Sequence, residues 1–327
     1  MKKAICIPFI AILLALFAAP ASAQQKIRIN WTAVTGAQSG MFMAQQEGLF
    51  KKNGLDAELI HIPSSSRGIQ AILAGEIGFS FMDGANEVQA NLKGANLALV
   101  AGATNRQVFS LMAKPEIKSV SDLKGKKIGI TRIGSSTHTS ALYALGQAGL
   151  RPSDYQILPL MEVPNIFTAL AAGQIDAGVV SPPTNSRARK AGFRELMDLA
   201  KDGPEYVSVA VGTSRSYISA SEDVVRRVVR SYAEGVYIFK TNKTAGLKMI
   251  QNYLKVKDVD IQEDTYNEFR QYLEYPPYVS RKGMEAILAE VADKDPTAKA
   301  AKIDDFIDMR FVAELEKEGF FRKFAVK

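Results

Sequence analysis

Cysteine is nearly missing from this chain of 327 residues: the single one, Cys6, sits in the first apolar stretch. Histidine is almost as scarce, with only His61 and His138. Two distant histidines without a cysteine partner leave no zinc cluster, so no metal is expected. The G-x-S-x-G elbow of serine hydrolases is absent, as are the phosphate-cradling P-loop and the G-x-G-x-x-G dinucleotide fingerprint. No nucleotide or other cofactor is therefore expected. Lys/Arg runs with interleaved aromatics do not occur, which argues against nucleic acid. Beyond the first 23 residues no stretch is long and apolar enough to span a bilayer. For acid–base chemistry the best remaining arrangement is a carboxylate pair, Asp83 with Glu162, and otherwise the sequence offers no catalytic set.

The ends are more informative. Met1-Lys2-Lys3 is a basic start, Ile5 to Ala19 is almost wholly apolar, and Ala21-Ser22-Ala23 is a small-x-small cleavage signal. This predicts a secretory signal peptide over residues 1–23, cleavage after Ala23 and a periplasmic product. Cys6 precedes the apolar core of the signal, so it is not placed to anchor a lipid. The formal net charge is +7; without Lys2 and Lys3, 39 basic residues stand against 34 acidic ones, a net +5. The charges are dispersed, a pattern compatible with an anionic ligand and weak as an argument for one.

Along the chain, short apolar runs alternate with amphipathic ones. Strands are expected at Lys26–Trp31, Asp56–Ile62, Ile77–Phe81 and Leu97–Ala101, with helices at 41–47, 67–74 and 85–93. A second set follows. Lys127–Ile130 is a strand, Gly134-Ser135-Ser136-Thr137 a hydroxyl-rich cap, and Thr139–Leu150 a helix that Gly149 closes. Strands at 155–160 and 175–180 then flank a helix at 166–172. This βαβ order predicts parallel sheets with crossover helices. Ala71-Ile72-Leu73-Ala74-Gly75-Glu76-Ile77 resembles Ala169-Leu170-Ala171-Ala172-Gly173-Gln174-Ile175, and Asn53-Gly54-Leu55 resembles Ala148-Gly149-Leu150, at offsets of about 95 to 98 residues. A repeat that long implies two related α/β domains. The extended runs at 108–113 and 207–211 are where the chain would cross between them. Domain I is then 24–110 with 208–327, and domain II is 111–207. From Glu222 onward the pattern is helical.

Ligands of open parallel sheets bind beyond the carboxyl ends of the strands. Six turns would meet there: Gln38-Ser39, Ser64-Ser65-Ser66, Asp83-Gly84, Ser135-Ser136-Thr137-His138, Glu162 to Asn165, and Ser181 to Thr184. Most carry hydroxyls or amides and open a helix, whose free N–H groups and dipole favour an anion. Serine, asparagine and aspartate also cap helices that bind nothing. Trp31 ends the first strand beside these turns and could stack on a ligand or pack in the core. Arg67, Arg106 and Arg132 could each supply a counter-charge or be structural. The candidate ligand-binding set is Trp31, Gln38, Ser39, Ser64, Ser65, Arg67, Asp83, Ser135, Ser136, Thr137, His138, Asn165, Ser181 and Thr184; no residue is assigned a catalytic role.

Over essentially all of the chain after residue 23, the sequence resembles the periplasmic solute-binding proteins of ABC transporters in the nitrate/sulfonate/taurine group. The stretches that carry the resemblance are Glu47-Gly48-Leu49-Phe50 with Asn53-Gly54-Leu55, Ala71–Ile77, Asp122–Gly129, Gly134-Ser135-Ser136, and Leu170–Ala177 with Ser181-Pro182-Pro183. The resemblance implies an α/β fold of the type II periplasmic-binding-protein class. Its two domains would each hold a mostly parallel sheet flanked by helices, be joined by two hinge crossings and close over the ligand. It implies a monomer that captures a small anionic solute and delivers it to a permease with a cytoplasmic ATPase, with ligand contacts carried to Ser39, Ser65, Ser135, Ser136 and Ser181. Two alternatives stay open: an enzyme of the same fold acting on a pyrimidine or thiamine precursor, and an exported ligand sensor.

Overall fold

The structure, a computed structural model, describes residues 24–324. Residues 1–23, read above as a signal peptide, lie outside the described residues. Ten strands are formed: β1 (Gln25–Trp31), β2 (Leu55–His61), β3 (Phe79–Met82), β4 (Leu97–Thr104), β5 (Ser110–Ala113), β6 (Lys127–Ile130), β7 (Gln156–Pro159), β8 (Ala177–Val180), β9 (Arg194–Asp198) and β10 (Val209–Ser214). The helices among them are α1 (Ser39–Gln46), α2 (Leu49–Lys52), α3 (Ser65–Leu73), α4 (Gly84–Asn91), α5 (Ser136–Gln147), α6 (Val163–Ala171), α7 (Thr184–Lys190) and α8 (Leu199–Asp202). After β10 come α9 (Arg215–Ala220), α10 (Glu222–Thr241), α11 (Lys243–Tyr253), α12 (Val259–Tyr272), α13 (Arg281–Ala292), α14 (Arg310–Lys317) and α15 (Phe320–Lys323).

The strands form two five-stranded sheets with one plan. The first has the order β2-β1-β3-β10-β4 and the second β7-β6-β8-β5-β9. In each, β1 or β6 pairs in parallel with both neighbours. The sheets are mostly parallel, as expected, with one reversed strand set inside each. β10 runs antiparallel between β3 and β4, and β5 runs antiparallel between β8 and β9. Both reversed strands follow the segments that cross between the sheets. A chain arriving from the other sheet enters at the cleft, where the remaining strands end, and so must run the opposite way. Strand β9, at an edge, was not anticipated; its Arg194 and Glu195 mask the alternation by which an edge strand would be read.

Local sequence explains the elements. In β1, Ile27 and Ile29 are buried while Lys26 and Arg28 face solvent, the period-two pattern of a strand covered on one face. In α10, Val225, Val228, Val229, Tyr232 and Val236 are buried on one face, and Arg226 and Arg227 pair off it with Glu314 and Asp223 at 2.8 Å each. This helix crosses α1 where Gly235 meets Gly40; a Cβ on Gly235 would stand 2.1 Å from the Gly40 carbonyl oxygen. The repeat predicted from sequence lies in matching places. Gly75 and Gly173 end α3 and α6 at φ +73° and +70°, a left-handed turn that glycine adopts without strain.

The larger core runs between the first sheet and α1, α10, α11, α12 and α14, with Phe42, Phe50, Phe79, Phe81, Tyr232, Phe239, Phe269 and Phe311 buried in it. The second sheet is packed by Leu111, Ile128, Ile130, Leu145 and Val179 on one side, and by Met112, Ile166, Leu170 and Val180 on the other. Among the described residues no helix is long and apolar enough to cross a membrane.

Candidate functional site

The carboxyl ends of both sheets face one enclosed cleft of about 70 Å³. From the first sheet its walls are Thr32, Ala33, Val34 and Thr35 after β1, Gln38 just before α1, Ser64 and Ser65 at the start of α3, Met82 at the end of β3 with Asp83 after it, and Ser208 and Val209 at the entry of β10. The second sheet contributes Phe109, Thr131, Ser135, Ser136, Thr137, Met161, Glu162, Val163 and Ser181. That volume is several times the ~10–15 Å³ that one water centre needs, and well below the roughly 300 Å³ at which drug-sized pockets begin. Two lining residues, Ser64 and Met161, have φ of +77° and +72° without being glycine. Such backbone costs about 1–3 kcal/mol each and gathers at functional sites.

The turn before α5 is a closed hydroxyl network. The Thr131 hydroxyl donates to Ser135 Oγ at 2.9 Å, and the Ser135 hydroxyl donates to the Arg132 carbonyl at 2.7 Å. Thr137 Oγ1 accepts the Thr131 backbone N–H at 2.9 Å. These groups hold the turn; the His138 and Thr139 N–H groups are taken by Ser135, and Ser136 and Thr137, whose own N–H groups open α5, line the cleft. Across it, Ser65 Oγ accepts the Asp83 backbone N–H at 3.1 Å. Asp83 caps α4, taking the Asn86 N–H at 2.8 Å. Burial pushes the Asp83 carboxyl above its ordinary range, against the bonds from Asn86 and Ser65. The Asn86 side chain also donates to the Gly134 carbonyl at 2.8 Å, which ties α4 to the turn before α5 across the cleft mouth. Behind the cleft, Lys190 on α7 reaches Asp258 at 2.6 Å and Asp260 at 3.1 Å at the start of α12.

Of the residues singled out from sequence, Gln38, Ser64, Ser65, Asp83, Ser135, Ser136, Thr137 and Ser181 line the cleft together. Gln38 spends its amide on the loop it belongs to, bonding Thr32 at both ends at 3.0 and 3.1 Å. Ser181 is 2 % exposed and its hydroxyl has no partner among the described residues. Trp31, Ser39, Arg67, His138, Asn165 and Thr184 are not in the lining. Trp31 stacks on His61 with ring centroids 3.8 Å apart. Ser39 is buried within α1, Arg67 is exposed on α3, and Thr184 is buried at the start of α7. Asn165 donates to the Leu160 carbonyl at 2.9 Å. His138 accepts the Gly134 N–H at 3.1 Å on Nδ1, and burial, then Lys294, lowers its pKa. His61 is also lowered by burial, and Glu162 from the other sheet opposes that shift.

None of the three arginines lines the cleft. Arg106 donates to the carbonyls of Ala200 and Gly203 at 3.3 and 2.9 Å, a structural role between the crossing segments. Arg132 lies beside the α5 turn, outside the lining. Among the described residues no lysine or arginine lines the cavity, and no group of three His, Cys, Asp or Glu could hold a metal. Sequence reasoning passed over Thr32, Thr35, Phe109, Met161 and Ser208. Phe109 and Ser208 directly precede the two reversed strands, so their place at the cleft follows from the crossings once strand direction is known.

Residues 37–243 match the family described as NMT1/THI5 like. A Brucella abortus (strain 2308) protein named as a binding protein is 27% identical over 266 residues, which are 79% of this chain and 82% of that one. A structure from Bordetella bronchiseptica RB50 superposes with a TM-score of 0.81 at 18% identity, covering 90% of this chain and 98% of the other. The alkanesulfonate-binding protein SsuA from Xanthomonas axonopodis pv. citri, solved with MOPS bound, gives a TM-score of 0.70 at 22% identity over 84% of this chain and 93% of that one. This chain belongs to the NMT1/THI5-like family and has the periplasmic-binding-protein fold.

Proposed function

We propose that this protein is the extracytoplasmic solute-binding component of an ABC importer. It captures a small anionic solute of the sulfonate, taurine, nitrate or carboxylate type in the cleft and passes it to a permease driven by a cytoplasmic ATPase. The observation that carries the reading is the Ser181 hydroxyl, buried and without a partner among the described residues at the wall of a cavity lined from both sheets. A buried polar group without a partner costs about 1–3 kcal/mol, and a ligand oxygen or N–H would recover it. Neutral donors would hold the anionic end: the Ser136 hydroxyl and the N–H groups of Ser136 and Thr137 that open α5.

In this reading residues 24–110 with 208–327 form one domain and 111–207 the other. They move about the two crossings, and the ligand draws them together by contacting both. The Asn86–Gly134 bond belongs to the closed form. The protein acts as an exported monomer, cleaved after Ala23, and does no chemistry. The names of its relatives support binding over catalysis, and neither histidine lines the cleft, so an enzyme of pyrimidine or thiamine-precursor chemistry is not favoured.

A thermal-shift screen of the purified protein with nitrate, alkyl and aryl sulfonates, taurine and small carboxylates tests this. A ligand at a hundred times its Kd adds about 2.7 kcal/mol, a rise of several degrees in Tm. A shift with one class, reduced by Ser136→Ala and Ser181→Ala, supports binding. Turnover of the bound compound would sink it.

A further inference from the structure

The sequence repeat fixes which cleft positions of the two halves correspond. Helices α3 and α6 open at Ser65 and Val163, and strands β3 and β8 open at Phe79 and Ala177, so both pairs are 98 residues apart. The same offset pairs Ser64 with Glu162 and Asp83 with Ser181. Each half therefore brings one carboxylate and one serine to its two corresponding turns, with the positions exchanged. The carboxylate follows the third strand of the first sheet but precedes α6 in the second.

Asp83 and Glu162 both line the cavity, and no lysine or arginine among the described residues does. Asp83 is 3 % exposed, and the side-chain donor on its carboxylate is the neutral amide of Asn86. Glu162 makes no side-chain hydrogen bond or ion pair among the described residues. Ser181, at the position matching Asp83, holds a hydroxyl with no partner among the described residues and is 2 % exposed. A plain anion held at the α5 turn would face two carboxylates with no cation between them. A cationic nitrogen would satisfy both, and Ser181 Oγ could accept a further N–H.

We propose that the solute is zwitterionic, with its anionic end at the Ser136 turn and a protonated amine or similar cationic nitrogen between Asp83, Glu162 and Ser181. This rests on the solute-binding reading and narrows it. Titration calorimetry on the purified protein with matched pairs tests it: 2-aminoethanesulfonate against ethanesulfonate, and β-alanine against propionate. The aminated member of at least one pair should bind about tenfold tighter or more, the scale of one charge-assisted hydrogen bond. Asp83→Asn, which keeps a capping side chain, and Glu162→Gln should each shrink that ratio while leaving the plain anion's affinity equal or higher. If the unaminated members bind as tightly as their partners, the cleft stands and the zwitterion is overturned. If none of the four binds, the small-solute cleft itself fails, and this inference with it.

Discussion

The two halves share a strand order and, from α3 through β3 against α6 through β8, a 98-residue register, yet they are packed differently. Phe79 and Phe81 of β3 correspond to Ala177 and Val179 of β8, and all four are buried. The first sheet has strands of up to eight residues and a wall of C-terminal helices; the strands of the second have four or five. The same backbone plan is thus filled with aromatic rings where α10, α11 and α12 add a second layer, and with small aliphatic groups where they do not. The first half is the more deeply anchored body, and the second the one with less apolar surface buried in its sheet.

The sharpest way to break this comparison is to cut the two cores at matched positions. Phe81→Ala should destabilise by about 3–5 kcal/mol. Val179→Ala should lose about 1.5–2 kcal/mol, at ~0.8 kcal/mol per buried CH₂. Urea melts of the two variants measure both, and equal losses would show that the halves are equally anchored.

A second contrast lies in charge. Glu87 on α4 is fully buried, with Oε2 unpartnered, whereas the 98-residue offset puts the neutral Asn185 on α7. Burial holds the Glu87 carboxyl well above its ordinary value, against the smaller opposing pull of Arg215. The folded state therefore binds the proton more tightly than the unfolded chain does. Its stability is full at pH below the unfolded value near 4.5 and declines as pH rises through the folded value. Glu87→Gln removes that decline, so it should stabilise by about 1–3 kcal/mol at neutral pH. The gain should disappear below about pH 4.5. Thermal melts from pH 4 to 8 follow it; a gain that does not vary with pH would assign the effect to packing.

Within the second half, two serines of one cleft should behave oppositely. Ser135 caps α5 and carries the hydroxyl network, so Ser135→Ala should lower the ligand-free stability by about 0.5–2 kcal/mol. Ser181 has no partner to lose and its buried hydroxyl is unsatisfied, so Ser181→Ala should raise ligand-free stability, by up to about 1–3 kcal/mol. It should weaken a bound solute by about 0.5–1.5 kcal/mol. Melts with and without the solute separate these, and a large ligand-free loss at Ser181 would give that hydroxyl a structural role. Smallest of all is the effect expected at the exposed pair behind the cleft: Lys190→Ala should leave the melting curve unchanged at high salt, because solvent screens such pairs.

Much of this was legible beforehand because it is local. Alternation exposed β1, the Gly75 and Gly173 turns exposed the repeat, and Ser135 announced the cap of α5. The family followed from the order of such short signals. Other features were not legible because they depend on distant partners. Whether a serine caps a helix or faces a ligand turns on what lies opposite: Ser39 vanished into α1, while Ser181 reached the cleft. Arg106 looked like a counter-charge and proved to be spent on two carbonyls that lie beyond residue 199 in sequence.

By itself the sequence determined the α/β class, the doubled plan and the strand-end turns where a ligand could bind, because periodicity, caps and glycine turns act over a few residues. Tertiary structure alone decided the direction of β5 and β10, since strand direction depends on where the chain enters a sheet. It alone also decided the charge of the cleft. Which side chains share a cavity is set by two sheets meeting face to face, and that meeting brought Asp83 and Glu162 together and left every arginine outside.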